Sequence, residues 1–222
     1  MTKYTIAICD ILGFSNLVQE KPLEEVVEVY LTQLLKALYH SIFKEVWPSE
    51  PPSLPALQDQ NILGIAWFSD TILLYTLEDK DENLKALIST LGWLLFETMY
   101  TTGIRLRCAV SYGEMCIDAE NSIYVGKPLI KAHRLEQAQA WSGGALTPEA
   151  AERLPEDART CRYPEWWLVH YAVPLQGGKT KKMFAINWTI GTRPDFSWEI
   201  LKSHAPPSQE ECECRPDVCE KW

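Results

Sequence analysis

The sequence predicts an α+β domain of ferredoxin-like βαββαβ order, extended on its C-terminal side by a β-hairpin. Three observations carry this expectation. Short apolar runs rich in isoleucine, leucine and valine are separated by long segments of helical periodicity. Two of the runs flank a tight Ser69-Asp70-Thr71 turn. A composition of 46% hydrophobic and 23% charged residues over 222 positions suits one sizeable globular core.

Tyr4 to Asp10 reads as a buried strand, stopped by Asp10 and by Gly13, where the backbone can bend sharply. Leu23, Val26, Val27, Tyr30, Leu34, Leu38 and Ile42 then recur at helical spacing, which predicts a helix from Leu23 to Val46 with Pro22 suited to its first turn. Pro48, Pro51, Pro52 and Pro55 exclude regular structure from the next segment, expected to be a surface connection beside the pocket. Ile62 to Phe68 and Ile72 to Leu77 form the hairpin, and Asn83 to Thr102 an amphipathic helix ended by Gly103. Arg105 to Tyr112 resumes a strand that Gly113 should turn, with Glu114 to Ile117 continuing as a partner strand or arm. Lys127-Pro128 opens a helix running through Ala138, and Ser142-Gly143-Gly144 closes it. A short helix starts at Thr147-Pro148-Glu149. Trp166 to Val173 and Met183 to Trp188 make the late hairpin across a polar loop, Gln176 to Lys182.

Residues 1–205 are thus expected to form one domain and residues 206–222 a poorly ordered polar tail. In that tail Cys212, Cys214 and Cys219, with His204 nearby, lack the paired CxxC spacing of a zinc site and are expected to be free thiols. Cys9, Cys108 and Cys116 fall in strand-like segments and read as reduced core thiols. A net charge of −9 argues against a general nucleic-acid binder, although a local basic pocket for a small polyanion is compatible with it. No signal-peptide pattern opens the chain, and no apolar run reaches the length of about 18 residues that spans a bilayer. The expectation is a cytoplasmic protein without a membrane partner.

In a sheet of this order the first strand and the hairpin lie side by side at the centre, so the end of one meets the turn of the other. Asp10 and Asp70 would then face one site. Either aspartate alone reads as a turn or cap residue, but two carboxylates at one point repel unless a cation lies between them. Hard divalent ions, Mg2+ or Mn2+, suit such a pair and leave room for substrate phosphates, with the carbonyl of Ile11 as a further ligand.

These residues carry a family resemblance. Asp10-Ile11-Leu12-Gly13-Phe14-Ser15 resembles the first metal motif of the class III nucleotide cyclase catalytic domain, and Phe68-Ser69-Asp70 its second. Leu106 to Met115 resembles that family's next strand and turn, and Gly126 to Arg134 its final catalytic helix. The likeness covers residues 4–140. It implies that Asp10, Ile11 and Asp70 hold two Mn2+ or Mg2+ ions per site, and that backbone amides of Leu12, Gly13, Phe14 and Ser15 hold a triphosphate. It implies that Arg134 stabilises the transition state across a head-to-tail homodimer, in which the active sites are composite and an isolated monomer is inactive.

The departures matter equally. Ile130 stands where the family places a ribose-orienting asparagine, and Ala66 and Ile123 stand where purine cyclases place their base readers. With those departures and its late hairpin, the chain is similar to the stand-alone pyrimidine cyclases of bacterial Pycsar anti-phage systems. That similarity implies conversion of UTP to cyclic UMP, or of CTP to cyclic CMP, as a second messenger read by a separate cyclic-nucleotide-binding effector. Adenylate cyclase activity and a catalytically silent nucleotide-binding homodimer stay open as alternatives. Tyr4, Trp67, Arg107 and the proline-rich segment are available as walls of a base pocket.

Overall fold

In the computed structural model the described residues are 2–44, 48, 50–58, 63–160 and 166–191. The expected tail, with Cys212, Cys214, Cys219 and His204, lies outside them, as do Val46 and Ile62. The side chain of Tyr30 is likewise outside the described part.

Strand β1 (Thr2–Ile11) is central. It pairs antiparallel with β3 (Thr71–Thr76) on one side and with β4 (Leu106–Asp118) on the other. Strand β2 (Leu63–Phe68) completes the β2-β3-β1-β4 order of the expected ferredoxin-like core. Alternation along β1 sends Ala7, Cys9 and Ile11 into a core under the helices α3 (Leu34–Phe43) and α5 (Asp81–Glu97), with Leu38, Leu87 and Leu91. Ile6 and Ile8 face the opposite side, with Ala109, Met115 and Ala132. Ala132 belongs to α6 (Lys127–Ala138), which runs over that second face. The sheet is therefore covered on both sides, and Asp10, two residues after Ile8, faces the α6 side.

Several expectations are corrected. A helix, α1 (Phe14–Glu20), begins directly after Gly13, ahead of the expected start. The next helical segment is α2 (Leu23–Val27), a π-helical turn over Glu28–Gln33 and then α3, which stops at Lys44 in a left-handed conformation, φ 55°. The proline-rich segment contains the short helix α4 (Leu54–Gln58), whose Leu57 is fully buried, so it closes the core instead of forming a free connection. Gly113 does not turn its strand: β4 runs through it in unbroken register with β1, Tyr4 opposite Gly113 and Thr2 opposite Met115. Beyond the pairing with β1, β4 forms an arm with β5 (Ile123–Gly126). Cys9 and Cys108 are buried free thiols as expected, but Cys116, on the arm, is exposed.

The largest difference is at Ser142-Gly143-Gly144. The glycines begin a buried strand, β6 (Gly143–Leu146), parallel to β4. A Cβ on Gly144 would stand 2.8 Å from Ile186, so the pair reports close strand approach and not a turn. After the short helices α7 (Pro148–Arg153) and α8 (Glu156–Arg159), the late hairpin is longer than expected. Strands β7 (Leu168–Leu175) and β8 (Lys179–Ile186) are joined by only Gln176–Gly178, and β8 extends the sheet through the pair Ala145–Ala185.

Gly92 on α5 lies under the indole of Trp167. A Cβ there would stand 2.2 Å from a ring carbon. Gly92→Ala is therefore expected to destabilise the fold by about 1–3 kcal/mol through overpacking against a rigid ring, read from urea or thermal unfolding. An unchanged midpoint would mean that the indole yields freely.

Candidate active site

The site grows from the last residues of β1. Asp10 is opposite Thr71 on one neighbour and Arg107 on the other. The Ile11 amide donates to the Asp70 carbonyl at 3.1 Å and the Leu12 amide to the Arg105 carbonyl at 2.9 Å. In an extended strand the N–H and C=O of one residue point the same way. The Ile11 carbonyl therefore faces the hairpin turn that carries Asp70. The turn is tight: Ser69 sits at φ 51°, and the Trp67 indole N–H donates to the Ser69 carbonyl at 3.0 Å. The expected meeting of β1 and the hairpin turn is present.

Arg107 projects from β4 on the same side as Asp10. Its guanidinium lies 3.6 Å from Asp10 Oδ2, and its Nε donates to Glu136 Oε1 at 2.5 Å. Glu136, on α6, is only 1% exposed and also accepts from the Gln137 amide at 2.8 Å. A second Arg107 N–H reaches the Gln139 carbonyl at 3.3 Å. Arg107 thus ties the end of β1 to the C-terminal half of α6, which is a different role from the pocket wall the sequence suggested. Its position opposite Asp10 was the available signal. Glu136 carried none, being one polar residue among several on its helix.

The electrostatics are those of a crowded acidic edge. Burial, then the charges of Glu136 and Asp70, push the Asp10 carboxyl up to about 6, against the opposing pull of Arg107 and His133. One cation does not balance the local acids. Among the described residues no group of three or more His, Cys, Asp or Glu side chains is placed to hold a metal. The available donor set is two carboxylates and a main-chain carbonyl, all hard oxygens, on an edge where burial first, and then the charges of Glu136 and Asp70, hold the Asp10 carboxyl up. That set fits a Mg2+- or Mn2+-class ion bound together with substrate oxygens.

The phosphate-cradle residues are placed unequally. Gly13, at φ 78°, has open space where a Cβ would be, and its carbonyl accepts from the Leu17 amide, so it starts α1. Ser15 is exposed in the first turn, whereas Phe14 packs against the core. The Leu12 amide, committed to Arg105, is a correction to the expected cradle.

Arg134 is exposed on α6 and lines a different space, a cavity of about 510 Å3 between α6, α7 and the β7–β8 hairpin. Arg134 is not among the charges that act on Asp10, whereas its neighbour His133 is. Within one chain the two aspartates come together and Arg134 stands apart. Ile130 and Ile123 are exposed, and Ala66 is half-buried beside the second core. The cavity's other two cations that are unpaired among the described residues, Lys181 and Lys182, are placed by the structure on β8, where the sequence predicts a loop.

No protein-family model matches the chain, and no curated protein sequence matches it. Solved structures do. Two adenylate cyclases of Trypanosoma brucei, in their monomeric state, superpose with TM-scores of 0.56 and 0.54 at 14% and 12% identity. They cover 89% and 87% of this chain and 92% and 93% of their own. The catalytic core of a rhodopsin-guanylyl cyclase with converted specificity, in complex with ATPalphaS, superposes with a TM-score of 0.51 at 12% identity, covering 83% of this chain and 94% of that one. The fold is that of the class III cyclase core. Among the described residues no helix is long and apolar enough to cross a membrane.

Proposed function

We propose that this chain, folded as a class III cyclase core, is a pyrimidine nucleotide cyclase that converts UTP to 3′,5′-cyclic UMP and pyrophosphate. The observation that carries the cyclase reading is the convergence of Asp10, Asp70 and the Ile11 carbonyl on one acidic edge beside the Gly13 turn. In this reading those three groups hold two Mn2+ or Mg2+ ions. When bound, the ions supply Lewis-acid stabilisation of the attacking and leaving oxygens. The ribose 3′-hydroxyl releases its proton to water, its oxygen forms a bond to the α-phosphorus, and the bond from the α-phosphorus to the bridging oxygen breaks with its electron pair leaving on pyrophosphate. The amides at Gly13 and Ser15 face the triphosphate, while Arg107 keeps Asp10 in place from behind. Arg134 meets the α-phosphate.

Because Arg134 stands apart from Asp10 and Asp70 in one chain, the reading requires a second copy arranged head to tail. The apolar side chains of Ile123, Val125 and Ile130, exposed by 47%, 61% and 54%, support a partner on that face. The pyrimidine preference rests on Ala66 and Ile123, whose aliphatic side chains cannot hydrogen-bond a purine edge. Under this proposal the enzyme is cytoplasmic and its product is a defence signal read by a separate effector.

Incubation with each nucleoside triphosphate and Mn2+, followed by mass spectrometry of the products, tests it. Cyclic UMP is expected. Cyclic CMP would shift the assignment to cytidylate cyclase. A second reading, adenylate cyclase, draws support from the two trypanosome enzymes, and cyclic AMP as sole product would establish it over the pyrimidine one. Binding of a nonhydrolysable analogue without turnover of any nucleotide would leave a silent nucleotide-binding dimer.

A further inference from the structure

The cavity beside Arg134 is charged in a way that the chain as a whole is not. The protein carries a net charge of −9, yet this cavity gathers Arg134, Lys181 and Lys182, and among the described residues none of the three forms an ion pair. Lys131 is also present, but it is already committed to Glu149 at 2.5 Å. Gathering unpaired like charges at one concave place costs free energy through mutual repulsion, and an anion bound among them removes the cost.

Thr147, His170 and the Lys131-paired Glu149 also line the cavity, and the rest of the lining is apolar. Leu135, Leu146, Met183 and Phe184 contribute to it, and the His170 ring lies against Phe184 with centroids 4.1 Å apart. Lys181 and Lys182 are fixed in register on β8, opposite Val173 and Ala172, so the cations stand on a strand and not on a mobile loop. At about 510 Å3 the cavity is the size of sites that enclose small organic ligands. Its concavity excludes a membrane surface or a duplex as the occupant.

We propose that this cavity is a binding site for a phosphate-bearing organic anion, with the phosphates on Arg134, Lys181 and Lys182 and the organic part against Phe184 and Met183. Two sources share that chemistry: the triphosphate of a nucleotide held on the aspartates of a second copy, and a separate phosphorylated metabolite. Only the first source rests on the cyclase reading.

Calorimetric titration of the full chain with inorganic tripolyphosphate in EDTA tests the site without turnover or metal. We expect saturable binding that weakens about tenfold or more in the Lys181→Ala/Lys182→Ala double variant and is unchanged in Asp70→Asn. Both lysines are exposed, so the double variant should keep the parent melting temperature. Absence of saturable binding, or equal affinity in a folded double variant, overturns the proposal. A nonhydrolysable UTP analogue with Mn2+ separates the sources. Displacement of tripolyphosphate identifies the nucleotide tail, whereas simultaneous binding identifies a separate metabolite. A chain that binds tripolyphosphate but makes no cyclic nucleotide retains this site and loses the cyclase reading; an active chain that does not bind it does the reverse.

Discussion

Asp10→Asn is expected to abolish turnover, by about a thousandfold or more, while making the metal-free protein more stable. The native fold holds the Asp10 carboxyl at about 6, above its ordinary 3.8, because of burial and then the charges of Glu136 and Asp70. The folded chain therefore binds this proton more tightly than the unfolded chain does. Stability from that proton is fully present below the unfolded value and is lost as pH rises through about 6. Above that pH the ionised carboxylate is a standing cost of about 3 kcal/mol. Asparagine removes the charge and leaves Arg107 with its Glu136 partner. In EDTA at pH 8 the variant should melt about 6–12 °C above the parent, and at pH 4 the two should nearly coincide. A variant that is inactive and also less stable at pH 8 would show that Asp10 has a structural role, not a functional charge.

The second large effect concerns assembly. Arg134→Ala and Asp70→Ala should each lose about a hundredfold to a thousandfold in activity. An equimolar mixture of the two should recover about a quarter of the parental rate. In a head-to-tail dimer each site takes its aspartates from one chain and its arginine from the other. Random pairing makes half of the dimers mixed, and each mixed dimer has one intact site and one doubly damaged site. Activity of the mixture should rise with total protein concentration as dimers form. If the mixture stays as inactive as its components while sedimentation shows exchange of subunits, the composite site is wrong.

The core of the fold was legible because its signals are local and unambiguous. Apolar strand runs, the Ser69-Asp70 turn and the periodic face of the helix later observed as α5 each specify one structure. Asp10 and Asp70 were legible for the same reason: strand order alone brings their backbones together. Strand β6 was not, since Gly143 and Gly144 signal a turn until the position of Ile186 is known. Nor was the Leu54–Gln58 helix, where prolines suggested a free segment and the burial of Leu57 is a tertiary fact. Arg107 and Glu136 are separated by 29 positions, and only the packing of α6 on β4 makes them a pair. The basic cavity needed the register of β8, which a glycine-rich turn and a run of lysines concealed.

The pairing of β1 with partners far along the chain also bears on how the protein is made. Asp10 is bordered by Thr71 and Arg107 and faced by Glu136. A chain leaving the ribosome therefore holds its first strand without β3 until Thr76 has emerged and without β4 until Asp118 has. The apolar Ile6-Ala7-Ile8-Cys9 run spends that interval unprotected. The acidic edge around Asp10 is then complete only once Glu136 has emerged and Arg107 has paired with it, and under the cyclase reading products of synthesis truncated before α6 should carry no activity.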